Sequence, residues 1–222
     1  MWRLLLLTLL SIPASANDII ESIEKFTNIF GISFSQNNGN TVATLDANYY
    51  LSDEFRVFGD IDTDLSWEVG TGYSIYSGMT YYTENTIKIS EHKISTGIFG
   101  AKILHEDWTL IGDIHYNHKL STESCLNEWC WENQRANTFE YSAGFIWSPV
   151  NQIDWIYKFN QELSTKNNRY VLPNIPVEGT KTNFRYHELV AAFNLSYLRP
   201  SITYTHFEDR EDSIEFGLSF DF

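Results

Sequence analysis

Residues 214–222 read Ile214-Glu215-Phe216-Gly217-Leu218-Ser219-Phe220-Asp221-Phe222, and with them the sequence ends. Successive side chains of an extended chain point to opposite faces. Ile214, Phe216, Leu218, Phe220 and Phe222 therefore share one face, and Glu215, Gly217, Ser219 and Asp221 the other. An apolar face carried to a terminal Phe fits poorly with a soluble sheet, whose last residues fray in water. It fits a strand whose outer face meets hydrocarbon and whose inner face meets a polar interior.

The same alternation recurs upstream. Phe30-Ile32-Phe34, Ala43 to Leu51, Phe55 to Ile61, Trp67 to Ile75 and residues 80–90 each present one apolar face. Residues 94–104 read as a sixth strand, although Ile94, Ile98, Phe99, Ile103 and Leu104 do not choose one side. Trp108 to Tyr116, Phe139 to Trp147, Ile153 to Phe159, and the stretches 184–195, 201–207 and 213–222 complete the series. That gives twelve strands, with ten or fourteen also compatible with the length. A membrane strand needs about 9–11 residues. Short turns are expected at 52–54, 77–79, 105–107, 149–152 and 197–200, and long loops at 119–136 and 164–182 on the opposite side.

On its closing strand ending in Phe216, Leu218, Phe220 and Phe222, the chain resembles bacterial outer-membrane β-barrel proteins. In those proteins the last strand is the signal read by the barrel-assembly machinery. The resemblance implies an all-β antiparallel transmembrane barrel over residues 29–222, in contact with the bilayer and with lipopolysaccharide. The amino terminus agrees with export. Met1-Trp2-Arg3 is a short basic start, Leu4 to Leu10 an apolar run, and Ala14-Ser15-Ala16 a small-x-small site, so residues 1–16 read as a signal peptide cut before Asn17. Residues 17–28 place Ile19, Ile20, Ile23 and Phe26 at helical spacing, as a periplasmic leader or a short helix entering the lumen.

Composition supports the barrel. The chain holds 7 Trp, 13 Tyr and 15 Phe, the residues of interfacial aromatic girdles. Without the signal peptide its 15 Lys and Arg lose only Arg3, leaving 14 basic residues against 29 acidic. Such a balance argues against nucleic acid, whose phosphates would find no neutralising surface.

Folding strands two to five as hairpins about these turns sets Asp46 opposite Asp60, Asp60 opposite Glu68 and Glu68 opposite Lys88, all facing inward. Like charges placed opposite each other are unfavourable unless they are solvated or neutralised. This charge row predicts a wet, negative lumen that prefers cations. The competing reading is a closed polar plug in which Arg56, Lys88 and Lys158 neutralise the acids. Twelve-stranded oligogalacturonate-specific porins share the expected architecture, but their lumens are basic, and the acidic row departs from that pattern.

Other motifs carry less. Cys125 and Cys130 sit in the 119–136 loop, where export through an oxidising compartment predicts a disulfide. Trp129 and Trp131 beside them, and the acidic run 208–212, are candidate surfaces for lipopolysaccharide or a partner. Asp60, Asp62 and Asp64 suggest calcium, but an EF-hand would need Gly and Glu where Leu65 and Thr71 stand. Asp113, His115, Glu140 and Ser142 face inward together, as a hydrolase would require, yet pairing sets His115 nearer Glu140 and Asp113 nearer Ser142. No cofactor, metal centre or catalytic set is expected. The expected function is a small passive porin-like channel for cations or small solutes, or alternatively a closed scaffold or translocator-like barrel that binds partners through its outer loops.

Overall fold

The computed structural model describes residues 30–37, 40–77, 81–126, 129–167, 169–172, 175–178, 183–195 and 197–220. The expected signal peptide 1–16, the expected leader 17–28 and Phe222 lie outside the described residues.

Sixteen strands form two sheets: β1 (Phe30–Asn37), β2 (Asn40–Tyr50), β3 (Phe55–Asp62), β4 (Trp67–Ser77), β5 (Tyr81–Ser90), β6 (Lys93–His105), β7 (Trp108–Lys119), β8 (Thr122–Leu126), β9 (Trp129–Gln134), β10 (Thr138–Val150), β11 (Ile153–Ser164), β12 (Arg169–Leu172), β13 (Ile175–Glu178), β14 (Asn183–Phe193), β15 (Leu198–Phe207) and β16 (Ser213–Phe220). Twelve of them close an antiparallel barrel in the order β1-β16-β15-β14-β11-β10-β7-β6-β5-β4-β3-β2. These are the twelve strands expected from alternation. Closure is made where β1 meets β16, with Phe30 opposite Phe220, Ile32 opposite Leu218 and Phe34 opposite Phe216. A closed sheet leaves no unpaired backbone edge, as hydrocarbon demands.

The barrel is apolar outside and polar within. Ile87, Ile114 and Phe216 on the outer face are 57%, 52% and 57% exposed, whereas Glu84, Asn117 and Thr138 inside are 3%, 3% and 2% exposed. Aromatic rings cluster near both rims. Trp108 lies 5.8 Å from Trp147 and 5.3 Å from Phe145 at the rim where β1 begins and β16 ends, and Tyr116 lies 5.1 Å from Phe139 at the other. The first rim is called the terminal end below, and the second the loop end.

The two long connections are not open loops. They fold as the hairpins β8–β9 and β12–β13, which join through β9–β12 into a sheet of order β13-β12-β9-β8. That order repeats the order β14-β11-β10-β7 of the barrel strands from which the hairpins spring, so the second sheet continues one side of the wall. Asn137 ties the bases together: its carbonyl accepts from the Thr165 amide at 2.8 Å, and its side-chain oxygen accepts from the Lys119 amide at 3.1 Å.

Candidate channel lumen

The inward positions of β2 to β5 hold the sequence-predicted acids. Asp46 pairs in register with Asp60, and Asp60 with Glu68. Glu68, however, faces Ser90, and Lys88 faces Gly70. This corrects the expected Glu68–Lys88 pairing by two positions, because the β4–β5 turn is centred one residue later than residues 77–79 suggest. The two still meet diagonally: Lys88 Nζ is 3.0 Å from Glu68 Oε1, and Lys93 Nζ is 3.1 Å from Glu68 Oε2. Glu68 thus holds two ammoniums. Among the described residues no Lys or Arg nitrogen lies within 4.0 Å of Asp46 or Asp60. The Asp60–Asp64 run is spent on a turn, since the Asp62 carboxylate accepts from the amides of Asp64 at 2.9 Å and Ser66 at 3.0 Å.

The remaining inward bases are held by acids on their own part of the wall. Arg56 donates to both oxygens of Glu84, at 2.6 and 3.0 Å, and to Asn48 at 2.6 Å. Two inward glycines make this possible. A Cβ on Gly72 would fall 1.8 Å from Glu84 Oε1, and one on Gly70 would fall 2.7 Å from the Phe58 ring that lies under Arg56. Lys119 donates to Glu162 at 2.9 Å, and Lys158 lies 3.7 Å from Glu188. Arg199 donates at 3.0 Å to Asp154, which also accepts from Ser148 at 2.5 Å and Asn194 at 2.8 Å. Ser95, Asn117, Thr138 and Glu140 form a further chain of hydrogen bonds at the loop end.

Two adjoining cavities occupy the interior. The smaller, about 240 Å³, is polar and lies between Lys93, Asn117, Glu140 and Tyr186. The larger, about 470 Å³, lies toward the terminal end. They share Lys88, Asp113, His115 and Lys158.

Solved structures that resemble this barrel include three outer-membrane proteins. The NanC porin aligns over 87% of this chain and 100% of its own, with a TM-score of 0.67 and 10% identity. The KdgM porin, solved in complex with disordered oligogalacturonate, aligns over 87% and 98%, with a TM-score of 0.65 and 8% identity. An outer-membrane channel from Pseudomonas putida F1 aligns over 87% and 94%, with a TM-score of 0.64 and 7% identity. No protein-family model matches the sequence, and no curated protein does.

The fold is that of an outer-membrane porin.

Within this porin fold, Asp113, His115, Glu140 and Ser142 come together as the sequence suggests, but in an order unsuited to hydrolysis. Register sets His115 opposite Glu140 and Asp113 opposite Ser142. Ser142 donates to Asp113, and His115 Nε2 is 3.6 Å from Asp113 Oδ1. The serine proton is therefore directed at the carboxylate, and His115 is not aligned to receive it. Cys125 and Cys130 stand opposite each other across β8–β9; their side chains lie outside the described ones.

Several lumen residues escape the sequence reading. Arg199 was expected in the 197–200 turn, because Pro200 follows it, yet β15 begins at Leu198 and Arg199 is 7% exposed inside the wall. Proline is tolerated at the start of a strand. β6 faces inward with Ser95, Phe99, Ala101 and Ile103, and with Tyr82, Ile111, Ile146 and Ile156 these residues make one side of the lumen apolar. The undecided alternation of residues 94–104 was the trace of that patch. Lys102 faces outward, 4.6 Å from the Tyr81 ring near the terminal rim.

Proposed function

We propose that this protein is a small passive channel of the outer membrane with a modest preference for cations. The observation that carries this reading is the loop-end part of the lumen, where Asp46 and Asp60 face each other with no close Lys or Arg among the described residues. Glu68, beside them, is shared by two lysines. Carboxylates left in this state require water or mobile cations to hold their charge, and their field concentrates cations at the mouth. Local pairing of Arg56, Lys119, Lys158 and Arg199 with Glu84, Glu162, Glu188 and Asp154 favours the channel over the plug. In a plug Arg56, Lys88 and Lys158 would neutralise the acidic row; of these three Lys88 alone lies against it, at Glu68, which leaves Asp46 and Asp60 uncompensated.

The wider assignment follows from this reading. Residues 1–16 direct export, Phe216, Leu218, Phe220 and Phe222 are read by the barrel-assembly machinery, and the loop end faces outward toward lipopolysaccharide. The second sheet then stands outside the cell, with a disulfide between Cys125 and Cys130. Single-channel recording of refolded residues 17–222 across a KCl gradient tests the function. Discrete steps with a cation-selective reversal potential are expected. A correctly folded barrel that stays silent overturns the channel and turns attention to the second sheet as a partner-binding surface.

A further inference from the structure

From the larger cavity we infer that the terminal-end half of the lumen is a binding site for a small aromatic solute with a zwitterionic head group. The inference names a solute class for the proposed channel and rests on that reading for the route by which the solute arrives.

A porin lumen facing water is expected to be polar, yet one wall of this one carries Phe99, Ile103, Ile111, Ile146 and Ile156. They are not a random intrusion. Tyr82 and Ala101 are 3% and 8% exposed, and Phe99, Ile103 and Ile111 pack against them as a continuous apolar floor. The Phe99 ring meets Tyr82 edge-on at 6.0 Å. Nor is the patch a ring that would shut the pore by dewetting, because the wall across from it is small and polar. There Ser201 is paired with Gly217, so close that a Cβ on Gly217 would fall 2.5 Å from Ser201 Oγ, and Thr203 is paired with Glu215. A one-sided apolar floor opposite a polar wall suits a flat ring lying against one side.

The size agrees. A volume of about 470 Å³ lies within the range of small-molecule sites. It corresponds to about fifteen water molecules at liquid density, enough for one ring and its head group but short of an oligosaccharide.

Polar groups then fix the head. Thr86 lines the cavity, is 5% exposed, and its Oγ1 is buried with no hydrogen-bond partner. A buried hydroxyl left in this state is costly, and a polar atom of a bound solute would satisfy it. Charges of both signs stand where the two cavities join. Lys88 and Lys158 bring ammoniums that also lie near Glu68, at 3.0 Å, and Glu188, at 3.7 Å, and Asp113 brings a carboxylate that also accepts from Ser142. Arg56 and Glu84, also on the lining, hold each other through two hydrogen bonds. A head group with one carboxylate and one ammonium joins this network at charges of both signs; a head of single charge joins it at one sign.

Calorimetric titration of the refolded chain in detergent, with L-phenylalanine, L-alanine, phenylacetate and phenethylamine as probes, tests the site without requiring conduction. Phenylalanine is expected to bind at least about tenfold more tightly than alanine, and about threefold or more tightly than either singly charged probe. Thr86→Val should weaken phenylalanine about threefold. Ile111→Asn, with Ile156→Ser in reserve if that barrel does not fold, should bring phenylalanine down to the level of alanine. Equal binding of phenylalanine and alanine overturns the site. Equal binding of phenylacetate and phenylalanine overturns the zwitterionic head. A barrel that conducts without distinguishing the probes loses the site and keeps the channel, while one that binds phenylalanine but stays silent loses the channel and keeps the site.

Discussion

Neutralising Asp46, Asp60 and Glu68 together should do more than abolish cation preference; it should reverse it. The reason is the second lysine. Asp46, Asp60 and Glu68 oppose Lys88 and Lys93, so this group carries a formal charge of three minus and two plus, or −1. The variant Asp46→Asn/Asp60→Asn/Glu68→Gln leaves the two ammoniums alone, at +2. Each unit charge acts on an ion about 10 Å away with roughly 0.4 kcal/mol in water, reduced to about 0.15 kcal/mol by screening at 0.1 M salt. A change of three units thus moves K⁺ and Cl⁻ by about 0.45 kcal/mol each, in opposite directions, and their permeability ratio by about fivefold. A starting preference of about threefold for K⁺ would give a reversal potential near 20 mV across a tenfold KCl gradient, against about 59 mV for perfect selectivity. The variant should read near −10 mV. Bilayer recordings at matched salt measure both. A reversal potential that stays within a few millivolts of wild type refutes the placement of the selectivity-setting charge at these residues.

Other outcomes follow from single side chains. Arg56→Met strands the buried Glu84 carboxylate, whose side chain is 4% exposed, and should cost roughly 3 kcal/mol, read as a lower urea midpoint for loss of the heat-modifiable gel band. Gly72→Ala should lose part of the same pair, since the new methyl lands on Glu84, while Gly100→Ala, with nothing closer than 3.9 Å, should be neutral in the same assay. Unfolded protein kept free of reductant should show no thiol reactive toward maleimide, and Cys125→Ser should leave the barrel's urea midpoint unchanged, because the pair belongs to the second sheet. In the 208–212 loop, hydrogen bonds from Tyr204, and secondarily His206, hold the Asp212 carboxyl below its usual range. A lowered value means the stabilisation is full above the unfolded value of about 3.9 and lost as pH falls through the folded one. Pepsin should therefore cut this loop faster at pH 2 than at pH 4, beyond its own pH trend on an unfolded control.

The strand count was legible because lipid and lumen impose opposite demands on alternate residues, and Leu110, Ile114 and Tyr116 obey that rule as plainly as the closing strand. Faces were legible for the same reason, so Asp46 and Asp60 could be paired from turns alone. Register beyond one turn was less secure. A turn centre shifted by one residue keeps every face but moves the partner by two, which separated Glu68 from Lys88. The rule fails where its premise fails: in β6 the lumen itself is apolar, so Phe99 and Ile103 look no different from lipid-facing residues. It also fails beyond the barrel strands. The segment Thr122-Glu123-Ser124-Cys125-Leu126 has no apolar face to betray a strand, yet it forms β8. Arg199 was hidden by Pro200, and Thr86 by its ordinariness, since an unsatisfied hydroxyl is visible only once its neighbours are placed.

The seam between β1 and β16 gives the barrel a particular order of assembly. Every other neighbouring pair can form by a hairpin adding to the last, but Gln36 and Ile214 must meet across nearly the whole chain. Bringing such distant segments together carries a closure entropy on the order of 4–5 kcal/mol, and nonlocal pairing of this kind is slow. Until it happens the barrel is a curved ribbon with two open edges, each a template for pairing with another chain. The pairing of Ile214 to Phe220 with β1 therefore decides when, and whether, the protein ceases to be adhesive.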